Sequence, residues 1–138
     1  MGTQELIQRD LTEDIIGVFF DVYNELGFGF LEYLYVMALE RVLKASGHKV
    51  DREVSVRVYF RGELLGTQRI DMIVDDNVII EVKSSKDLPD ISLRQLDNYL
   101  KGTGIEVGLL LHFGPSAKFY RRVWTKPRKS VAVSAEIR

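Results

Sequence analysis

Residues 69–83 read Arg69-Ile70-Asp71-Met72-Ile73-Val74, then Asp75-Asp76-Asn77, then Val78-Ile79-Ile80-Glu81-Val82-Lys83. Two apolar runs rich in β-branched side chains flank three turn-forming residues, which predicts a β-hairpin with a three-residue loop. In that register Val74 faces Val78, Asp71 faces Glu81 and Arg69 faces Lys83. A four-residue loop would instead set the two acids on opposite faces. The two-residue period of a strand puts Glu81 and Lys83 on one face and Val82 on the other. Two carboxylates and an amine then share one patch of an apolar hairpin. Opposed carboxylates repel and weaken a hairpin, so the pattern asks for a compensating cation. Lys83 is one candidate. A divalent metal is the other, and oxygen donors favour Mg2+ or Mn2+ over softer ions.

Downstream of the hairpin, Pro89 and Asp90 open a helix carrying Leu93, Leu96 and Leu100, and Gly102 and Gly104 end it. The apolar run Ile105 to Phe113 suits a buried central strand. Its connection to the hairpin is a crossover, so it should lie parallel to Val78 to Lys83. Phe119 to Trp124 alternates as a further strand, and Lys126-Pro127 is expected to end the sheet. Upstream, Val50, Val54, Val56, Val58 and Phe60 alternate as a strand that turns at Arg61-Gly62-Glu63 and continues in Thr67 to Val74.

Before these strands the period is helical. Thr12 is a candidate cap for a helix carrying Ile15, Phe19, Val22, Tyr23 and Leu26. After Gly27-Phe28-Gly29 a second helix should begin near Leu31, with Leu31, Leu34, Tyr35, Ala38, Leu39, Val42 and Leu43 as its apolar stripe, ending at Gly47. The order is α-α-β-β-β-α-β-β. The fold class is α/β in the mixed α+β sense, a central mixed sheet flanked by helices. Residues 1–10 read as an N-terminal extension, 11–125 as one domain and 126–138 as a basic tail.

Composition agrees with one globular domain: 138 residues, 46% hydrophobic and 28% charged, with no cysteine. Enough apolar side chain is present to form a core, while disulfides, thiolate metal sites and cysteine nucleophiles are excluded. No stretch has the roughly 18 uninterrupted apolar residues of a membrane span, and Met1 to Asp10 is too polar for a secretory signal, so a cytoplasmic protein with no membrane partner is expected. The formal charge of -1 hides an asymmetry. Lys118 to Arg138 hold seven basic side chains against the single acid Glu136. This segment could meet a polyanion through Arg121, Arg122, Lys126, Arg128 and Lys129, or could be a charged edge that resists aggregation.

Other side chains stand near the predicted patch. Taking Leu31 as zero, Glu32 falls at about 100 degrees on the second helix, between Leu39 and Leu43, at the rim of the buried stripe. It is either a first-turn acid favoured by the helix dipole or a third carboxylate. Gln95 and Tyr99 lie four apart on one face of the third helix, beside its leucines, as a site contact or a helix-surface pair. His48 reads as a surface residue at a helix end, and His112 as a structural one.

Gly29-Phe30-Leu31-Glu32-Tyr33-Leu34-Tyr35 fits the G-x-x-E-x-x-Y signature, and the chain from about Leu11 to Trp124 resembles the GxxExxY protein family. That family is similar to the PD-(D/E)xK nuclease superfamily, with a restriction-endonuclease-like core of order α-β-β-β-α-β. Asp71, followed after nine residues by Glu81-Val82-Lys83, matches its D...E-x-K pattern, although Ile70 stands where a proline often does. Gln95-Leu96-Asp97-Asn98-Tyr99 resembles the Q-x-x-x-Y helix of its exonuclease branch. The resemblance implies Asp71 and Glu81 as metal ligands, with Glu32 as a further acid beside the metal. It implies Lys83 as the residue that positions or activates water. Gln95 and Tyr99 would support the site or touch substrate. Arg121 and Arg122, from the basic C-terminal segment and not from the resemblance, are further candidates for substrate binding or site support. The implied activity is Mg2+- or Mn2+-dependent hydrolysis of phosphodiester bonds in DNA, with RNA second.

Two other readings compete. One is a module on the same fold that binds nucleic acid or protein and turns nothing over. The other is a homodimer that uses exposed aromatics such as Tyr33, Tyr120 and Trp124 as its interface.

Overall fold

The computed structural model describes residues 7–125 and the backbone of 133–137. Helices α1 (Arg9–Leu26) and α2 (Glu32–Ala45) come first, followed by strands β1 (Val50–Phe60), β2 (Glu63–Val74) and β3 (Val78–Ser84). Helix α3 (Ile91–Thr103) leads into β4 (Val107–Phe113), β5 (Ala117–Val123) and β6 (Val133–Ile137). This is the expected order with one strand more. The sheet does not end at Lys126-Pro127, because β6 pairs antiparallel with β1. Val133, Ala135 and Ile137 alternate with Ser134 and Glu136, a strand pattern hidden behind the charged stretch around Pro127. Of the expected extension, Arg9 and Asp10 already lie in α1, and residues 1–6 fall outside the described part, as do 126–132 of the expected tail.

Among the described residues the sheet has six strands in the order β5-β4-β3-β2-β1-β6. Only β3 and β4 run parallel, through the crossover helix α3, so the sheet is mixed as the sequence required. Every residue of β4 is buried, His112 included, which fits its mostly apolar run. One face of the sheet packs against α1 and α2 through Phe19, Tyr35, Leu39, Met72, Ile80, Val82, Leu111 and Phe113. The other packs against α3 through Ile70, Ile73, Ile79, Leu96, Leu100 and Leu110. Gly108 lets α3 lie close, since a Cβ there would stand 2.7 Å from Leu96 Cδ1. Trimming the fully buried Leu96 to alanine would cost about 2–5 kcal/mol by opening a cavity at that contact.

The helices differ from expectation in detail. Thr12 does not cap α1: it is buried inside the first turn, and its hydroxyl donates back to the Arg9 carbonyl at 3.0 Å. In α2 the buried positions are Tyr35, Val36, Leu39 and Leu43, while Leu31 and Leu34 are exposed. The buried stripe is narrower than the apolar pattern and moved onto Val36. His48 is not a solvated surface group. Its side chain is only 15% exposed, with Nδ1 2.7 Å from Asp75 Oδ2 and Nε2 3.5 Å from Asp14, joining α1 to the β2–β3 turn. His112 is buried, with Nε2 2.8 Å from the Ser85 carbonyl, in keeping with a structural role.

An irregularity in the β1–β2 ribbon sets the position of Asp71. Val50, Met72 and Val74 face the α1/α2 side, yet Val54, Val56 and Ile70 face α3. Unbroken alternation would keep these even-numbered residues together. The ribbon changes faces where Glu53 and Asp71 lie opposite each other, between the paired Arg52–Met72 and Val54–Ile70. Glu53 absorbs the switch with a φ of 53°, a conformation rare for a residue with a side chain.

Candidate active site

The hairpin register is the one read from the three-residue loop. Val74 pairs with Val78, Ile73 with Ile79 and Met72 with Ile80. There the ladder stops, one residue short of the acids, and Arg69 does not pair with Lys83. Instead the carboxylates take over the bonding: the Asp71 N–H donates to Glu81 Oε2 at 2.8 Å, and the Val82 N–H donates to Asp71 Oδ2 at 2.8 Å. Each acid thus reaches across the gap to satisfy a backbone group of the opposite strand, which would otherwise be unpaired. Among the described residues Asp71 Oδ1 and Glu81 Oε1 accept no hydrogen bond.

The electrostatics of this pair are unfavourable to ionisation. Burial, then the Asp71 charge, pushes Glu81 up to about 8, and Glu81 itself is only 9% exposed. Asp71 is also raised, first by burial, although its bond from the Val82 N–H works the other way. The charges of Glu32 and Lys83 are both felt by the pair, Glu32 raising and Lys83 lowering. Lys83 is half-buried and, among the described residues, closes no ion pair with either acid. The lysine therefore offsets both acids at a distance and only in part, since their pKa values stay raised.

Glu32 is the first residue of α2, exposed, and stands apart from the pair: its Oε2 accepts the Ser84 N–H at 3.3 Å. The G-x-x-E-x-x-Y stretch has a physical basis here. Gly29 adopts a φ of 114°, which disfavours any side chain, and Tyr35 is fully buried with its hydroxyl donating to the Gly27 carbonyl at 2.6 Å. The Phe30 N–H in turn donates to that hydroxyl at 3.2 Å, and the Tyr35 ring stacks 3.9 Å from Phe113. Glycine and tyrosine shape the loop that delivers Glu32 to the end of β3.

On α3, Tyr99 borders the acids. Burial, then the charges of Glu81 and Asp71, pushes its hydroxyl up to about 12, and that hydroxyl donates to the Arg69 carbonyl across a long 3.5 Å. Gln95 is exposed one turn before it. Arg121 and Arg122 are committed elsewhere: Arg121 donates to the Ile7 carbonyl, and Arg122 grips Asp97 with two bonds of 2.9 and 2.6 Å. Lys126, Arg128 and Lys129 lie outside the described residues. Of the aromatics expected at an interface, Tyr33 is exposed, whereas Tyr120 and Trp124 are half-buried against the α3 cluster.

Two residues near the acids carry no sequence signal. Glu53 raises Asp71 through its charge and sits 3.8 Å from Arg69, but in an alternating strand it reads as an ordinary outward acid. Ser84 donates its hydroxyl to the Phe30 carbonyl and its N–H to Glu32, and only the folded loop reveals either bond.

Among the described residues no three His, Cys, Asp or Glu side chains converge as a group able to hold a metal ion. The donor set is a pair: two carboxylates, each with one oxygen not hydrogen-bonded, repelling one another in a part-buried gap. Mg2+ is commonly held by one or two carboxylates with water and substrate oxygens completing its shell, so the pair fits such an ion.

The sequence profile of the PD-(D/E)XK nuclease superfamily matches residues 9–123. The chain belongs to the PD-(D/E)XK nuclease superfamily. Its fold is similar to the crystal structure of SSO0001, with a TM-score of 0.55 and 27% identity over 68% of this chain. The match covers 50% of that protein, so the chain spans about half its length. No curated protein matches the sequence. Among the described residues no helix is long and apolar enough to cross a membrane.

Proposed function

We propose that the protein is a metal-dependent nuclease of the GxxExxY type, acting in the cytoplasm on DNA before RNA, with Asp71 and Glu81 as its metal ligands. The observation that carries this reading is the bonded Asp71–Glu81 pair, held together with raised proton affinity and no ion pair to discharge it. Mg2+ or Mn2+ bound there would supply charge stabilisation at the phosphate and a water acidic enough to be deprotonated near neutral pH.

The chain's own residues do the rest. The cross-strand bonds fix both carboxylates through one oxygen each and leave the second oxygen of each for a ligand. Lys83, on the same face as Glu81, is free to orient the attacking water and to offset charge growing on the phosphate. Glu32 is the further acid at the rim, held by the Ser84 N–H. Tyr99 keeps a proton at neutral pH and serves as a hydrogen-bond donor beside the acids, with Gln95 on the same helix face. Arg121 and Arg122 act in this reading by shaping the α3–β5 side, since their guanidinium groups are engaged with Ile7 and Asp97. The same engagement takes Arg121 and Arg122 out of the five-cation contact surface of the alternative, a silent binding module, whose Lys126, Arg128 and Lys129 lie outside the described residues.

Titrating Mn2+ into the protein and into Asp71→Asn by calorimetry tests the proposal without a guess about substrate. Binding to the first and not to the second is expected. Equal binding to both would remove the hairpin from the site, and no binding to either would return the interaction module to first place.

A further inference from the structure

We propose that the loop between α1 and α2, together with the first turn of α2, is a base-stacking platform, so that the nucleic acid at the Asp71–Glu81 site is single-stranded where it is cut; this rests on the proposed nuclease function. Phe28, Phe30, Leu31 and Tyr33 are 46%, 45%, 68% and 61% exposed within six residues of chain. Isolated apolar side chains on a surface need no explanation, but a contiguous set marks a place where something binds.

Two features tie this set to the carboxylates. The loop backbone is pinned, because the Tyr35 hydroxyl bonds the Gly27 carbonyl and the Phe30 N–H, and the Phe30 ring packs edge-on against Tyr35 at 6.0 Å. Leu31 and Tyr33 are thus presented before any ligand arrives, which lowers the entropic cost of binding. The loop is also fastened to the catalytic strand: Ser84, next to Lys83, donates its hydroxyl to Phe30 and its N–H to Glu32. Leu31 and Tyr33 flank Glu32, whose charge reaches both Asp71 and Glu81. Ser84 thus holds the loop at the end of β3, the strand that carries Glu81 and Lys83.

The occupant must present flat apolar faces together with a regular anionic backbone. Lys83 and the exposed Lys86, on the stretch that holds Ser84, supply cations for that backbone. Unpaired nucleobases meet both demands and stack on aromatic side chains with little regard to sequence. In a duplex the same faces are hidden by neighbouring pairs, so the platform selects unpaired strands.

The test uses fluorescence anisotropy with Ca2+ replacing Mg2+, a labelled single strand of about 12 nucleotides, and its blunt duplex. Tyr33→Ala, Leu31→Ala and Tyr33→Trp are compared with wild type, and all three changes are at exposed positions. Wild type should prefer the single strand, and Tyr33→Ala should weaken that binding by about tenfold. Tyr33→Trp should retain it, and a 2-aminopurine base in the strand should be quenched by wild type and not by Tyr33→Ala. Duplex binding as tight as single-strand binding and unmoved by Tyr33→Ala would overturn the platform while leaving the nuclease reading intact. Failure of wild type to bind either nucleic acid would overturn both. A wild-type dimer in sedimentation that Tyr33→Ala splits would overturn the platform by assigning this face to a second copy.

Discussion

Asp75 and Asp71 stand four residues apart on one hairpin, and their surroundings treat them in opposite ways. Burial would raise Asp75, but the His48 ring and the Lys49 N–H, which donates at 2.7 Å, outweigh it and hold its carboxyl below the usual range. Asp71 has burial and acidic neighbours, and its pKa is raised. At the turn, charge is answered within the chain, and the acid joins α1 to the sheet. At the ladder's end, charge is gathered and only partly offset, by backbone N–H groups and by Lys83. A carboxylate that only stabilises a fold is expected to look like the first, whereas one that serves a ligand looks like the second.

Three experiments break or sharpen this contrast, taken from the largest effect to the smallest. Lys83→Ala should lower cleavage by about 100- to 1,000-fold while Mn2+ binding in calorimetry persists. Normal turnover would show that the lysine belongs to the fold and not to the chemistry.

The second is the pH dependence of the metal-free protein. Between the unfolded value of about 4.3 and the folded value of about 8, native Glu81 holds a proton that the unfolded chain has lost. Stability should therefore fall as pH rises through that window, by an amount on the order of 2–5 kcal/mol in urea unfolding. Glu81→Gln keeps an oxygen for the Asp71 N–H and removes the charge, so it should flatten the profile, raise stability at pH 8 and abolish any gain from added Mn2+. A wild-type profile already flat would mean that the pair is discharged within the chain.

The smallest effect lies at the turn. Asp75→Asn and His48→Ala should each cost about 1 kcal/mol in the same unfolding assay. The Asp75 contribution has the opposite sign in pH: it is present above the unfolded carboxylate value and is lost as pH falls through the depressed folded one. Loss of cleavage in either variant, with stability kept, would extend the site to the turn.

Much of this contrast was legible in the chain, because a hairpin loop of known length fixes which residues oppose. Asp75-Asp76-Asn77 set the register that the ladder follows to Met72–Ile80, and the parallel pairing of β3 with β4 followed from the crossover helix. What happens beyond Ile80 was not legible. A periodic pattern continues a ladder indefinitely, whereas here side chains replace it. The face switch at Glu53 was hidden for the same reason: alternation assumes extended backbone, and nothing about a glutamate announces a positive φ. Leu31 and Leu34 look like core on a helical wheel because a wheel records spacing and not where the packed layer stops. The fates of Arg121 and Arg122 depended on partners far off in sequence, Ile7 and Asp97.

The pairing of β6 with β1 orders events during synthesis. β1 is made early, and its outer edge is completed by residues more than half the chain later. While the ribosome is still adding β4 and β5, the nascent protein carries Val56 to Phe60 with one row of backbone donors and acceptors open. Until β6 emerges, that row is open to wrong pairing with a neighbouring chain, and a chaperone would have reason to cover it.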